Sequence, residues 1–292
     1  MLTRRGFLVA GCVGAAVVAT GAAVGDRLAS EHGIDTHAAV RRALGHGPHL
    51  HEASFASAYR RTDVTWIAAV PHGVDPHGLP MALALHGRGG DAWASFNGLH
   101  VDAALDDYVR GGGTPFAVVS VDGGDHSYWH PRSDGTNALR MITDELLPRA
   151  AELGLRTDRI ATIGWSMGGF GSLMMARESA QGRLTATKVV AAAASGAALW
   201  PSAGLTASGA FDSPADFARW GDLVDDPGID GRVPLHVDAG DRDPFAPSIR
   251  RYRAAVRPTP AGGFVQGGHD GGTWQPLLPA QLAFLGTHLH RS

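Results

Sequence analysis

Residues 160–169 read IATIGWSMGG, and FGSLMMARE follows at 170–178. Ile160 to Ile163 is a short apolar, β-branched run suited to a strand, and Gly169 to Glu178 suits a helix. Between them Gly164, Trp165, Ser166, Met167 and Gly168 spell GxSxG. In a strand–turn–helix setting this pattern lifts a serine hydroxyl onto a sharp turn at the edge of a sheet. Glycine is needed at both ends because a Cβ there meets neighbouring backbone. The plainer alternative is a glycine-rich βα turn that a serine happens to cap.

Working outward, further apolar runs bounded by Gly, Pro and Asp occur at Val64 to Val70, Met81 to Leu85, Phe116 to Val121, Lys188 to Ala193 and Pro234 to Val237, with a shorter one at Gly263 to Gln266. Helix-like stretches alternate with them at Asn97 to Arg110, Asn137 to Leu153, Ser248 to Val256 and Gln275 to His288. Continuous apolar strands alternating with helices indicate an α/β fold, a mostly parallel central sheet with helices on both faces. One catalytic domain over 62–292 is expected, preceded by a polar lead-in at 26–61 with a helix near Thr36 to Leu44. Residues 197–230 break the alternation, being rich in Gly, Ser, Pro and Asp with Trp200, Phe211, Phe217 and Trp220 among them. They read as a cap over the carboxyl ends of the strands, or as an irregular loop whose aromatics pack on the body.

Composition narrows the function. The 292 residues carry 25 Lys and Arg against 28 Asp and Glu, a net charge of −3, so no basic surplus is available for sustained phosphate contacts and nucleic-acid binding is not expected. The one cysteine, Cys12, excludes an intramolecular disulfide framework and a cysteine-based zinc site. His126 and His130 with Asp122 and Asp125 contain chelating residue types, but nothing puts the imidazoles on one helix face, and the His46, His49, His51 group reads as a solvated segment. No metal and no cofactor is expected.

The amino terminus reads as an address. Thr3, Arg4, Arg5, Gly6, Phe7 and Leu8 lead into an uncharged apolar run ending at Val24, the order of a bacterial export signal, and the paired arginines resemble a twin-arginine signal. The expected partner is the twin-arginine export machinery, and the destination is outside the cytoplasm. Residues 1–25 are then a cleaved signal or, since the run approaches the ~20 residues that span a bilayer, an anchor giving membrane association.

A serine nucleophile needs a general base, and the base needs a carboxylate to fix its tautomer. Of the 15 histidines, His269 alone sits in a loop just after the last strand, within Gly267, Gly268, His269, Asp270. The strand at Pro234 to Val237 ends in Asp238, Ala239, Gly240, Asp241, Arg242, Asp243, Pro244. Asp243, in the turn beyond the strand, is the favoured acid, with Asp241 second and the remaining carboxylates serving as loop acceptors. The order Ser166, Asp243, His269 suits this topology. An oxyanion needs two donors: the Met167 N–H is one, and Arg88 N–H in His86, Gly87, Arg88, Gly89, Gly90 the other, with Gly87 as the alternative. His86 itself is expected to hold that loop. Tyr128 and Trp129, after the Phe116 to Val121 strand, are candidate substrate contacts, as is Trp274, which otherwise packs the last helix.

LHGRGGD at Leu85 to Asp91, DELLP at Asp144 to Pro148, GWSMGG at Gly164 to Gly169 and GGHDGGTW at Gly267 to Trp274 together resemble the esterase D and antigen 85 branch of the α/β-hydrolases, over roughly 62–290. The resemblance implies the α/β-hydrolase fold and a serine carboxylesterase or acyltransferase with Ser166, Asp243 and His269 as triad and Arg88 and Met167 at the oxyanion. Antigen 85 proteins use glutamate as the acid, whereas aspartate stands here. Esterase D enzymes that cleave S-formylglutathione are cytosolic, so an export signal argues against that thioester. The expected function is hydrolysis of a small-molecule or lipid ester through an acyl-enzyme. Acyl transfer to a sugar or lipid acceptor and a catalytically silent binding protein are the alternatives.

Overall fold

The computed structural model describes residues 48–290. Eight strands form one sheet in the order β1-β2-β4-β3-β5-β6-β7-β8. They are β1 (His49–Ser57), β2 (Thr62–Val70), β3 (Pro80–Leu85), β4 (Ala117–Val121), β5 (Arg156–Trp165), β6 (Lys188–Ser195), β7 (Leu235–Gly240) and β8 (Phe264–Val265). β1 and β2 form an antiparallel pair and β2 runs antiparallel to β4, while β4, β3, β5, β6, β7 and β8 are mutually parallel. This is the α/β-hydrolase architecture. β5 lies in the middle with parallel partners on both sides, and its last six residues are all buried, which is why it reads as an unbroken apolar run.

Two cores flank the sheet. On one face small side chains, Ala69, Ala82, Ala84, Ala161, Ala191 and Ala193, let α1 (Val101–Arg110) and α5 (Leu278–Leu289) lie close through Val101, Leu105, Leu278, Leu282 and Leu285. On the other face Met81, Leu83, Leu85, Val119 and Val237 meet helix α2 over 138–152, helix α3 (Met167–Ala180) and helix α4 (Ala246–Ala255). α2 is α-helical at Ala138–Arg140 and Leu147–Glu152 with a π-helical stretch, Met141–Leu146, between. The first twelve residues of α3 are buried; a helix apolar on every side belongs inside a domain, and this one is wedged between the sheet and residues 197–230.

Three elements differ from the sequence expectation. β1 lies inside the segment read as a polar lead-in; it is an edge strand with His49, Glu52, Ser54 and Ala56 exposed and only Phe55 and Ser57 buried, so its pattern is faint. The helix expected over Asn97 to Arg110 is broken at His100, whose φ of 54° ends a π turn at Ala94–Gly98 before α1 begins. The last strand shrinks to two residues because β8 pairs only with the end of β7. The helix expected near Thr36 to Leu44 and the apolar run at 7–24 lie outside the described residues. Among the described residues no helix is long and apolar enough to cross a membrane, and no group of three or more His, Cys, Asp or Glu is arranged to hold a metal.

Candidate active site

The elbow between β5 and α3 follows from two glycines. Ser166 sits at φ 55° and ψ −118°, a strained backbone for a residue with a side chain. The turn is held from both sides: Ser166 N–H donates to the Ser195 carbonyl at 3.1 Å, and its own carbonyl accepts from Phe170 and Ala198 N–H, each at 3.0 Å. A Cβ on Gly168 would overlap the Leu85 carbonyl, and one on Gly164 the Gly168 carbonyl, so neither position admits a larger residue. This close approach brings the end of β3 beside the serine.

Distant loops supply the two partners. His269 follows β8 and reaches Ser166 Oγ with Nε2 at 2.8 Å, while its Nδ1 lies 2.8 Å from Asp243 Oδ2. The carboxylate accepts from Nδ1–H, which leaves Nε2 as the unprotonated nitrogen facing Ser166 Oγ. The Asp243 side chain is fully enclosed and its Oδ1 accepts the Phe245 N–H at 2.8 Å, which fixes its direction. Of the competing carboxylates, Asp238 turns inward to Gln281 Nε2 at 2.7 Å, Gly263 N–H at 2.9 Å and His236 Nε2 at 3.0 Å. Asp241 accepts the Gly267 N–H at 3.1 Å at the surface. Both serve as loop acceptors, and Asp243 alone of the three reaches the imidazole.

Two glycines that the motifs do not flag make this convergence possible. A Cβ on Gly196, at φ 53°, would stand 2.7 Å from Asp243 Oδ2 and 3.2 Å from His269 Nδ1. One on Gly240 would stand 2.5 Å from the Gly267 and Gly268 carbonyls, closing the gap between the acid loop and the histidine loop. Sequence offers only a faint signal for either, since each is one glycine among 40.

His86 and the loop after β3 complete the serine's surroundings. A Cβ on Gly87 would lie 3.5 Å from Ser166 Cβ, so this loop passes directly against the nucleophile. His86 is buried; its Nδ1 lies 2.8 Å from the Gly87 carbonyl and its Nε2 accepts the Gly123 N–H at 3.0 Å. The proton therefore sits on Nδ1. Burial pushes the His86 imidazole below its ordinary pKa, and the neutral ring staples the loop to the end of β4.

The three candidate substrate contacts divide. Trp129 is 0% exposed, packed on Gly123, Gly171 and the His86 ring, so it braces the loops and does not line a pocket, contrary to expectation. Tyr128 is buried against Phe170, Trp200 and Phe211, and burial raises its hydroxyl above the ordinary pKa while Arg88 and Arg132 act to lower it. Trp274 stands edge-on to His269, ring centres 4.9 Å apart. His269 is flanked on another side by Phe245 at 5.3 Å, which in turn touches Trp200 at 5.5 Å. Phe245 and Trp200 thus continue from the histidine to Tyr128 and Phe211 as an aromatic wall. Phe245 was not foreseen, because nothing in a lone aromatic after Asp243 and Pro244 marks it.

The wall shows what residues 197–230 do. Its turns at Ala203–Leu205, Pro214–Asp216 and Phe217–Gly221 hold Phe211 on Tyr128 and Phe170 and back it with Phe217, so the segment packs its aromatics on the body and in doing so borders the site. His130 stacks flat on Phe211 at 5.0 Å and its Nε2 meets the Ala210 carbonyl at 2.9 Å. Arg132 forks onto Asp212, whose carboxyl is held down to about 2 by that guanidinium.

Comparison with known proteins bears on the fold and the family. Among solved structures, a ferulic acid esterase matches with a TM-score of 0.67 at 19% identity, covering 83% of this chain and 99% of its own. An S-formylglutathione hydrolase from Agrobacterium tumefaciens matches with a TM-score of 0.67 at 16% identity, covering 83% and 96%. The fluorophosphonate-binding serine hydrolase F of Staphylococcus aureus matches at 0.62 and 16%, covering 82% and 99%. At such identities these likenesses speak for the fold. No curated protein matches the sequence. The family described as "Putative esterase" matches residues 62–285, and the chain belongs to that family of carboxylic-ester hydrolases.

Proposed function

We propose that the chain is an exported serine esterase working through an acyl-enzyme. Ser166 Oγ attacks the ester carbonyl carbon and its proton passes to His269 Nε2. The tetrahedral oxyanion is held by the N–H groups of Met167 and Arg88, each worth about 3 kcal/mol of transition-state stabilisation. His269 then gives its proton to the departing alkoxide as the carbon–oxygen bond breaks. Water attacks the acyl-enzyme as His269 takes its proton, and His269 returns that proton to Ser166 Oγ as the acyl carbon–Oγ bond breaks and the free acid leaves. Asp243 remains ionised throughout and keeps His269 in the tautomer the first step needs. The aromatic wall suits an apolar part of a small-molecule or lipid ester.

One observation carries this reading: the unbroken contact from Ser166 Oγ through His269 to Asp243, with both distances at 2.8 Å. A silent binding protein has no need of it. Labelling of the folded protein by a fluorophosphonate, located to Ser166, together with release of p-nitrophenol from p-nitrophenyl butyrate, tests it. Absence of labelling defeats the nucleophile. Adding a sugar acceptor to the same assay separates the reactions, since acceptor ester formed in place of free acid means acyl transfer. Export rests on Arg4, Arg5 and the apolar run after them. Exchanging both arginines for lysine is expected to leave the protein in the cytoplasm, and unchanged fractionation defeats the twin-arginine route.

A further inference from the structure

The side chain of Arg88 has no part in the scheme above, which uses only its N–H. Arg88 leaves the backbone one residue after Gly87, whose position abuts Ser166, and its guanidinium ends beside the Tyr128 hydroxyl on the aromatic wall. The residue is exposed. It therefore links the loop beside Ser166 to the aromatic wall. The neighbouring charges are otherwise engaged. Arg132 is forked onto Asp212, with the shorter contact at 2.7 Å. Asp125, whose carboxylate lies against Gly89, is held by His126 Nδ1 at 2.6 Å. Asp91 is turned to the Trp93 and Ala94 N–H groups at 2.8 and 3.1 Å. Asp243 is enclosed behind His269. Among the described residues Arg88 forms no ion pair with an acid, so apart from its contact with the Tyr128 hydroxyl this exposed guanidinium keeps donors for an anion beside the serine loop.

Resting on the serine-esterase reading, we propose that Arg88 makes this enzyme selective for esters that carry a carboxylate a few bonds from the scissile carbonyl. Planar, bidentate pairing with a carboxylate is what a guanidinium does best, and Tyr128 beside it offers a hydroxyl to the same group. Such a substrate places its charge between Arg88 and Tyr128 and its apolar chain along Trp200 and Phe245.

The test compares matched pairs. In the acyl arm, 4-nitrophenyl hydrogen adipate is set against 4-nitrophenyl hexanoate; in the alcohol arm, 4-carboxyphenyl butyrate against phenyl butyrate. The readout is the ratio of kcat/KM for the charged over the neutral ester. A ratio well above one in at least one arm is expected, identifying the half of the substrate that bears the charge. It is expected to drop several-fold between about 0.05 and 0.5 M salt, as an exposed ion pair is screened. Arg88→Met keeps the backbone N–H and is expected to lower the ratio about tenfold, while Arg88→Lys retains part of it. Asp125→Asn, which removes the nearby negative charge, is expected to raise it. Equal use of charged and neutral esters, or a ratio that Arg88→Met does not move, overturns the proposal with the serine mechanism intact. Failure of all four esters to be cleaved in a Ser166-dependent way overturns both together, and is recognised by that pattern.

Discussion

The elbow and the segment over 197–230 border the same site but are held by different physics. β5 and α3 are fixed by backbone: parallel ladders on both sides, a carbonyl in contact with each elbow glycine, and apolar side chains with almost no exposure. The 197–230 segment is fixed by side chains: the Arg132–Asp212 fork, His130 stacked on Phe211, and Glu178 gripping Arg183 and Arg219. Backbone contacts leave no room for adjustment, whereas side-chain contacts are removed one at a time. Ser166 therefore sits on the first kind, and Phe211 of the aromatic wall beside it sits on the second.

The contrast is broken most severely at the nucleophile. Ser166→Ala is expected to lower kcat about 10⁵-fold or more and Asp243→Asn about 10⁴-fold, with thermal unfolding of Ser166→Ala close to that of the parent. A residual rate near the parent's in either variant shows that another group does the chemistry. Next comes the backbone itself: Gly168→Ala is expected to cost more than about 4 kcal/mol, because the new Cβ overlaps the Leu85 carbonyl and neither strand can move aside. Soluble protein with an unfolding midpoint near the parent's would show that the elbow yields.

The side-chain region is expected to respond less. Glu178 is buried; burial raises its pKa, but the bonds from Arg183 and Arg219 outweigh this and bring it to about 2. Its folded pKa lies below the unfolded value of about 4.3, so its contribution is whole above that value and is lost as pH falls through about 2. Glu178→Gln is expected to cost on the order of 3 kcal/mol at neutral pH and to flatten the fall of the unfolding midpoint between pH 5 and 2. Equal acid sensitivity in parent and variant means the carboxylate is not the linked group. Asp212→Asn is the mildest, about 1 kcal/mol or less, since this pair is partly exposed. Its expected signature is a change in KM with kcat retained, read from steady-state kinetics of a neutral ester.

Much of the site was legible because its signals are local. GxSxG needs a strand before it and a helix after it, and ten consecutive residues declare all three. His269 was legible as a histidine in the loop after the last strand, and the HGxGG loop by its glycines. Choosing among Asp238, Asp241 and Asp243 rested on position in a turn, and the structure shows the deciding factor to be direction: Asp238 faces Gln281 on α5, Asp241 faces solvent and Gly267, and Asp243 is aimed by the Phe245 N–H. Trp129 misled because an aromatic near a strand's carboxyl end looks the same in sequence whether it faces a cavity or fills one.

By itself the sequence determined the alternation of apolar strands and helices, the elbow and the chemical types that serve it, since periodicity, glycine and the reactivity of a serine are properties of short segments. Only the tertiary structure decided that β1 joins the sheet, that Gly196 and Gly240 let two loops close on the acid, that Phe245 and Trp200 form the wall, and that Arg88 reaches Tyr128 with no acid paired to it among the described residues. Each of these depends on which residues meet across long stretches of chain, and a contact between distant positions leaves no mark in either one alone.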